Sequence, residues 1–181
     1  FKGEPTEPPG EFGELIGADQ IAELLFVDQS PIGKTTRSNP ASYVGSFDEL
    51  RKIFSKTTVA VERAYTAGFF SFNSGDGRCP ICGGNGFEHV EMQFLSDVYL
   101  RCGECAGTRY RPEALEVTIE RKGQVLNMAQ VLELTVDQAI HLFEKDTALL
   151  KTLKPLALVG LGYMRLGQPV PTLSGGEAQR L

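Results

Sequence analysis

No run in this sequence is apolar for the roughly 20 residues that a membrane span needs, and no positively charged, apolar leader opens it. A spanning or secreted protein is therefore not expected, and the chain reads as cytoplasmic. Basic residues are not in excess: 18 Lys and Arg stand against 23 Asp and Glu, a formal net charge of -5. That excludes a uniformly basic nucleic-acid binder. It leaves room for a local basic groove, because a field depends on arrangement as well as on sum. Cysteine is scarce, with 4 in 181 residues, all in two close pairs. In a cytosolic chain such pairing favours metal over disulfides. Internal repeats and low-complexity tracts are also missing. Hydrophobic residues make up 41%, enough to bury one core, and 181 residues suit one domain or a domain with a small insertion.

Residues 28–36 read DQSPIGKTT and end like a phosphate-binding loop, in Gly33-Lys34-Thr35. The position of that motif's first glycine holds Asp28, which would set a carboxylate against phosphate. Pro31 removes one N–H from the cradle. Thr35, Thr36, Ser38, Asn39 and Pro40 read as loop where a helix should follow. The segment is expected to be a polar turn after a strand, residues 21–27 (IAELLFV).

Residues 1–18, rich in Gly, Pro and Glu, predict an extended lead-in. Ser46 and Glu49 fit a capping box opening an amphipathic helix with Phe47, Leu50, Ile53 and Phe54 on one face. Residues 69–72 (FFSF) suggest a short aromatic strand, more suited to a core than to base stacking. Thr135 and Gln138 form a second capping box. Residues 147–162 read as helical, with a break or kink at Pro155. Leu181 falls inside the first turn of a further helix, so the chain is expected to be a piece of a longer one.

Cys79-Pro80-Ile81-Cys82 and Cys102-Gly103-Glu104-Cys105 stand at zinc-ribbon spacing. Each tight knuckle presents two thiolates, and two knuckles complete a tetrahedral set. Gly83, Gly84, Gly86, Gly103 and Gly107 permit the turns that knuckles require. Two disulfides or four free thiols are the alternatives. Four protein ligands leave no place for water, so the zinc would be structural. His89 and His141 then read as ordinary polar residues. FEHVEMQF and DVYLR between the knuckles suggest a hairpin.

Residues 173–181 read LSGGEAQRL. The plain reading is a capped helix, with Ser174 as N-cap and Glu177 three residues on. The same geometry makes an anion site from the Ser174 hydroxyl, the glycine N–H groups and the positive helix end. A γ-phosphate presented by another subunit or domain would fit there. LSGG followed by an acidic residue and then Gln resembles the signature of ATP-binding-cassette (ABC) ATPases.

Taken with DQSPIGKTTRSNPASYVGSFDELRKIF, CPIC and CGEC, EMQFLSDVY, RYRPEALEV and VGLGYMRLGQPVPT, that string resembles the UvrA family. These are the damage-sensing ATPase subunits of bacterial excinucleases, and the likeness runs from about residue 20 to 181. It implies an α+β fold: an ABC-type helical signature subdomain with an inserted small β module like a zinc ribbon. The expected division is a lead-in, strand and Q-loop region at 1–45, a helical and strand part at 46–74, the four-cysteine zinc module at 75–112 and the helical signature subdomain at 113–181.

By the same resemblance Gln29 is the catalytic Q-loop residue. Ser174, Gly175, Gly176 and Glu177 would complete an ATP site whose Walker motifs lie elsewhere in the parent, with Mg²⁺. Cys79, Cys82, Cys102 and Cys105 would hold zinc in the module implicated in damage recognition. The implied function is ATP-dependent recognition of damaged duplex DNA, without sequence preference, in nucleotide excision repair. The parent would pair as a homodimer and meet the B component of the excinuclease through parts outside this chain. The isolated piece, lacking the groups that hold phosphate and Mg²⁺, is expected to be inactive as an ATPase. Lys34, Arg37, Lys52, Lys56, Arg63, Arg78 and Arg101 are the local cations for phosphate contact, each equally readable as a solvated surface charge.

The chain departs from the family pattern at AGFFSFNSGDGRC, where Phe69 stands for a charge and Asp76 adds an opposing one. Lys34 and Thr36 also replace the usual Arg and Pro. These changes keep a second reading open, a UvrA-like paralogue acting as an ATP-driven interaction or drug-tolerance protein. A third is a free-standing zinc-ribbon adaptor.

Overall fold

In the computed structural model residues 10–11, 13–14, 16–23, 32–33, 35–90 and 98–181 are described. Gln29, Lys34 and most of the strand predicted at 21–27 lie outside them. The chain divides into two compact units, Phe1–Ser30 and Pro31–Leu181. In the first, a 3-10 turn at Ala18–Gln20 follows Gly17, and residues 21–23 form no strand.

The second unit begins with short capped helices. Asn39 caps α1 (Pro40–Tyr43) in a reciprocal box with Ser42, and the buried Asn39 also donates to the Arg37 carbonyl. Gly45 then turns the chain in left-handed backbone, φ 77, and is itself the N-cap of α2 (Ser46–Ser55). The box predicted at Ser46 does not form. Gly45 brings the Ala41 carbonyl within 3.1 Å of the Ser46 hydroxyl, which donates there and is buried. The predicted face is present: Phe47, Leu50 and Phe54 are buried and Ile53 packs beside them. Thr57 caps α3 (Thr58–Glu62), its hydroxyl accepting from the Ala60 N–H.

FFSF forms no strand. Gly75 N–H donates to the Ser71 carbonyl at 2.8 Å, and a Cβ on Gly75 would lie 2.2 Å from the Gly68 carbonyl oxygen. The chain coils on itself through that close approach and drives the rings inward. Phe70 and Phe72 are fully buried, and the Phe72 ring centre lies 4.4 Å from that of Phe47. Phe69 stacks on Tyr65 at 3.7 Å. These rings belong to the core, not to a base-stacking surface.

Strands β1 (Phe87–Val90) and β2 (Val98–Arg101) pair antiparallel, Phe87 opposite Arg101, as the hairpin reading expects. Helix α4 (Pro112–Leu115) follows, with proline at its first turn. A second hairpin, β3 (Thr118–Arg121) and β4 (Gln124–Asn127), turns at Lys122 and Gly123, both at positive φ. Asn127 caps α5 (Met128–Glu133), and Thr135 with Gln138 caps α6 (Val136–Leu142) as predicted.

Helix α7 (Thr147–Leu158) runs through Pro155 without breaking and ends before Gly160, φ 79. Leu149, Leu153 and Leu156 face inward, and α7 packs on α2 with Leu50 and Phe54 in the same core. Each such side chain contributes roughly 1.5–3 kcal/mol of burial. A 3-10 turn at Val170–Thr172 leads to the last helix, α8 (Gly175–Arg180). The result is the expected mixture of helices and small antiparallel sheets. Among the described residues no helix is long and apolar enough to cross a membrane.

Candidate metal centre and signature helix

The four cysteines are buried and form a cluster of their own, apart from the main core. All four sulfurs lie within 4.8 Å of one another, and Cys82 Sγ and Cys105 Sγ are 3.7 Å apart. A tetrahedral zinc with Zn–S bonds near 2.3 Å sets sulfurs about 3.8 Å apart, so the set fits that ion.

Backbone geometry prepares the sulfurs for it. The N–H groups of Gly86 and Gly84 face Cys82, those of Gly107 and Arg109 face Cys105, and those of Cys105 and Glu104 face Cys102. Gly86 N–H reaches Cys82 Sγ at 3.2 Å. Burial pushes the Cys82 thiol up to about 12 and raises that of Cys105, with these N–H groups pulling the other way. Cys102 is lowered, chiefly by the Cys105 N–H. Buried thiols without a cation stay protonated. A divalent cation reverses that, and the donors already face the thiolates it would hold. Gly84, φ 86, cannot be replaced: a Cβ there would meet the Phe72 carbonyl oxygen at 1.9 Å.

At the other end, Ser174 caps α8 in the predicted box. Its N–H donates to the Glu177 carboxylate at 2.8 Å, and its hydroxyl accepts from the Glu177 N–H at 3.3 Å. Tyr163 donates to the second Glu177 oxygen at 2.7 Å. That hydroxyl first, then the Ser174 groups, hold the Glu177 carboxyl below its ordinary value. Ser174, Gly175 and Gly176 are exposed, while Leu173 and Leu181 on either side pack on the core. The helix start is thus anchored yet open to solvent.

The predicted cations sit in varied company. Arg37 donates to the Gly83 carbonyl at 3.0 Å, on the first knuckle, and its buried Nε has no partner among the described residues. Lys52 pairs with Glu49 at 2.7 Å and Arg63 with Glu116 at 2.5 Å. Arg78 donates to the Asn73 carbonyl at 2.7 Å, and Lys56 is exposed at the end of α2. Arg101 lies on β2 at a cleft of about 750 Å³ shared with Arg109, Tyr163, Arg165 and Gln168. His141 is exposed near Lys122, away from the sulfurs.

Arg109 is a functional candidate that sequence reasoning misses. It is buried, its carbonyl accepts from Cys79 N–H at 2.8 Å, and its guanidinium lies 5.1 Å from the Phe72 ring centre. The one local signal is its place four residues after the second knuckle, at positive φ before a buried tyrosine.

No family model matches the chain. The UvrABC system protein A of Staphylococcus epidermidis is 51% identical over 173 residues, 96% of this chain and 18% of that protein. That of Thermus thermophilus is 49% identical over the same shares. The chain thus spans less than a fifth of the length of these curated relatives. The crystal structure of UvrA2 from Deinococcus radiodurans superposes with a TM-score of 0.82 and 53% identity, covering 89% of this chain and 19% of that one.

Proposed function

This chain is a UvrA-family segment, and from that premise we propose that it serves a DNA-damage-recognising ABC ATPase of nucleotide excision repair. One body carries both working parts: the helix start at Ser174, which completes an ATP site built elsewhere in the parent, and a zinc-ribbon-like module held near DNA. The observation that carries the reading is the anchored, solvent-facing start of α8, where Ser174, Gly175 and Gly176 are exposed.

The residues divide the labour. Cys79, Cys82, Cys102 and Cys105 bind zinc, which cross-links the two knuckles and fixes the hairpin between them. Ser174 and the N–H groups of Gly175 and Gly176 meet the γ-phosphate from the side opposite the parent's Walker residues and Mg²⁺, and Glu177 holds Ser174 in its capping rotamer. Gln29 acts at the Q-loop. Lys34, Arg37, Lys52, Lys56, Arg63, Arg78 and Arg101 are the pool from which phosphate contacts are drawn. Such contacts suit a sensor that ignores sequence and reads deformation. The four-part division at 45, 74 and 112 follows from these roles. The parent works in the cytoplasm, as a homodimer, together with the B component of the excinuclease.

In the full-length protein, Ser174→Arg is expected to abolish ATP turnover and leave zinc per chain unchanged. Normal turnover would remove Ser174 from the site. A paralogue role is favoured by the acidic partners of Lys52 and Arg63, which take up charge that a DNA contact would use. Salt titration of DNA binding separates the two, because counterion release makes a sensor's affinity fall steeply with salt.

A further inference from the structure

Arg109 is 3% exposed and sits in left-handed backbone, φ 74. Its main chain joins the two knuckles: the N–H faces Cys105 sulfur and the carbonyl accepts from Cys79 N–H. Its side chain reaches the turn after the first knuckle and the helical body together. Nη1 donates to the Asn85 carbonyl at 3.1 Å and Nη2 to the Gly167 carbonyl at 3.3 Å.

A guanidinium buried this deeply needs partners for its donors, and the Asn85 and Gly167 carbonyls supply two. Among the described residues no carboxylate stands within ion-pair distance of it. Burial lowers its pKa, and Tyr110, Cys82, Cys105 and Glu133 oppose that.

The far end of the bond lies on a strap. Leu166 N–H donates to the Leu134 carbonyl at 2.9 Å, Gly167 N–H to that of Leu132 at 2.7 Å, and Val170 N–H to that of Ser38 at 2.8 Å. A Cβ on Gly167 would come within 2.9 Å of the Leu132 Cβ. Residues 166–170 are thus laid tightly on the body a few residues before Ser174.

We propose that Arg109 ties the metal-loaded cysteine centre to the strap, so that metal occupancy sets the order of the approach to Ser174. The proposal rests on the zinc reading above. When the metal leaves, the two knuckles that the Arg109 main chain joins are no longer cross-linked, and the guanidinium is no longer held at the Gly167 carbonyl. Lysine keeps the charge but lacks the planar fork that spans two carbonyls.

The test is amide hydrogen exchange over residues 160–175 of the full-length protein, with zinc bound and after its removal by a chelator. Cobalt substitution reports on the centre itself through its thiolate charge-transfer absorption. In the wild type, exchange at 166–170 should quicken by on the order of tenfold when zinc leaves. Arg109→Lys and Arg109→Met should exchange fast already with zinc bound and change no further on its removal, and Arg109→Lys carries the comparison should Arg109→Met fail to fold. A strap that ignores zinc in the wild type, or answers it equally in Arg109→Lys, overturns the proposal while leaving the metal reading intact. Absence of the cobalt–thiolate band in the wild type overturns the metal reading, and this inference with it.

Discussion

Glu177 closes the Ser174 cap and receives the Tyr163 hydroxyl with one carboxylate. Both contacts favour the ionised form, so its folded-state pKa lies below its ordinary value. A depressed carboxyl contributes stability that is full above the ordinary value and is lost as pH falls through the folded one. Protection of the α8 amides should therefore decline with acid across the range below the ordinary glutamate pKa. Glu177→Gln should flatten that profile; an unchanged profile in the variant would assign the acid response to another group. Ser174 and Glu177 were legible in the sequence because a cap is a local bargain between residues three apart. Arg109 was not, because its two side-chain acceptors lie 24 and 58 residues away. No local pattern encodes a partner at that distance.

Among the elements, α7 shows how packing overrules a local rule. Pro155 has no N–H for the Lys151 carbonyl, yet Leu149, Leu153 and Leu156 hold the helix continuous through it against the core. Pro155→Ala should restore the missing bond at an exposed position and stabilise the unit by roughly 1–3 kcal/mol, read as a shifted denaturation midpoint at constant m. A midpoint that does not rise would mean that the carbonyl is satisfied by other means. The face of α2, the cap of α6 and the cysteine hairpin could be read beforehand, since periodicity and knuckle spacing are near-neighbour signals. FFSF could not: its aromatic content suits a strand, but the contacts that coil it run from Gly75 back to Gly68. The N-cap of α2 falls one position before Ser46, because Gly45 accepts the left-handed turn that a serine N-cap would not. The β3–β4 hairpin carries a weak local signal because Lys122, at φ 50, occupies a turn position usually marked by Asn, Asp or Gly.

At the scale of the molecule, Pro31–Leu181 holds two cores of different kinds, one apolar and one of four sulfurs. Only the second offers ligands for a metal. Removing zinc should expose the amides of β1 and β2 to exchange while α2 and α7 keep their protection, and metal analysis should return about one zinc per chain. Loss of protection in both at once would mean a single cooperative unit. The body is also stitched where it starts and where it finishes: Ala41 N–H donates to the Leu166 carbonyl at 3.0 Å, and Val170 N–H to that of Ser38. Residues 38–41 and 166–170 therefore lie side by side. A substitution that loosens one of these segments is therefore felt by the other, far along the chain.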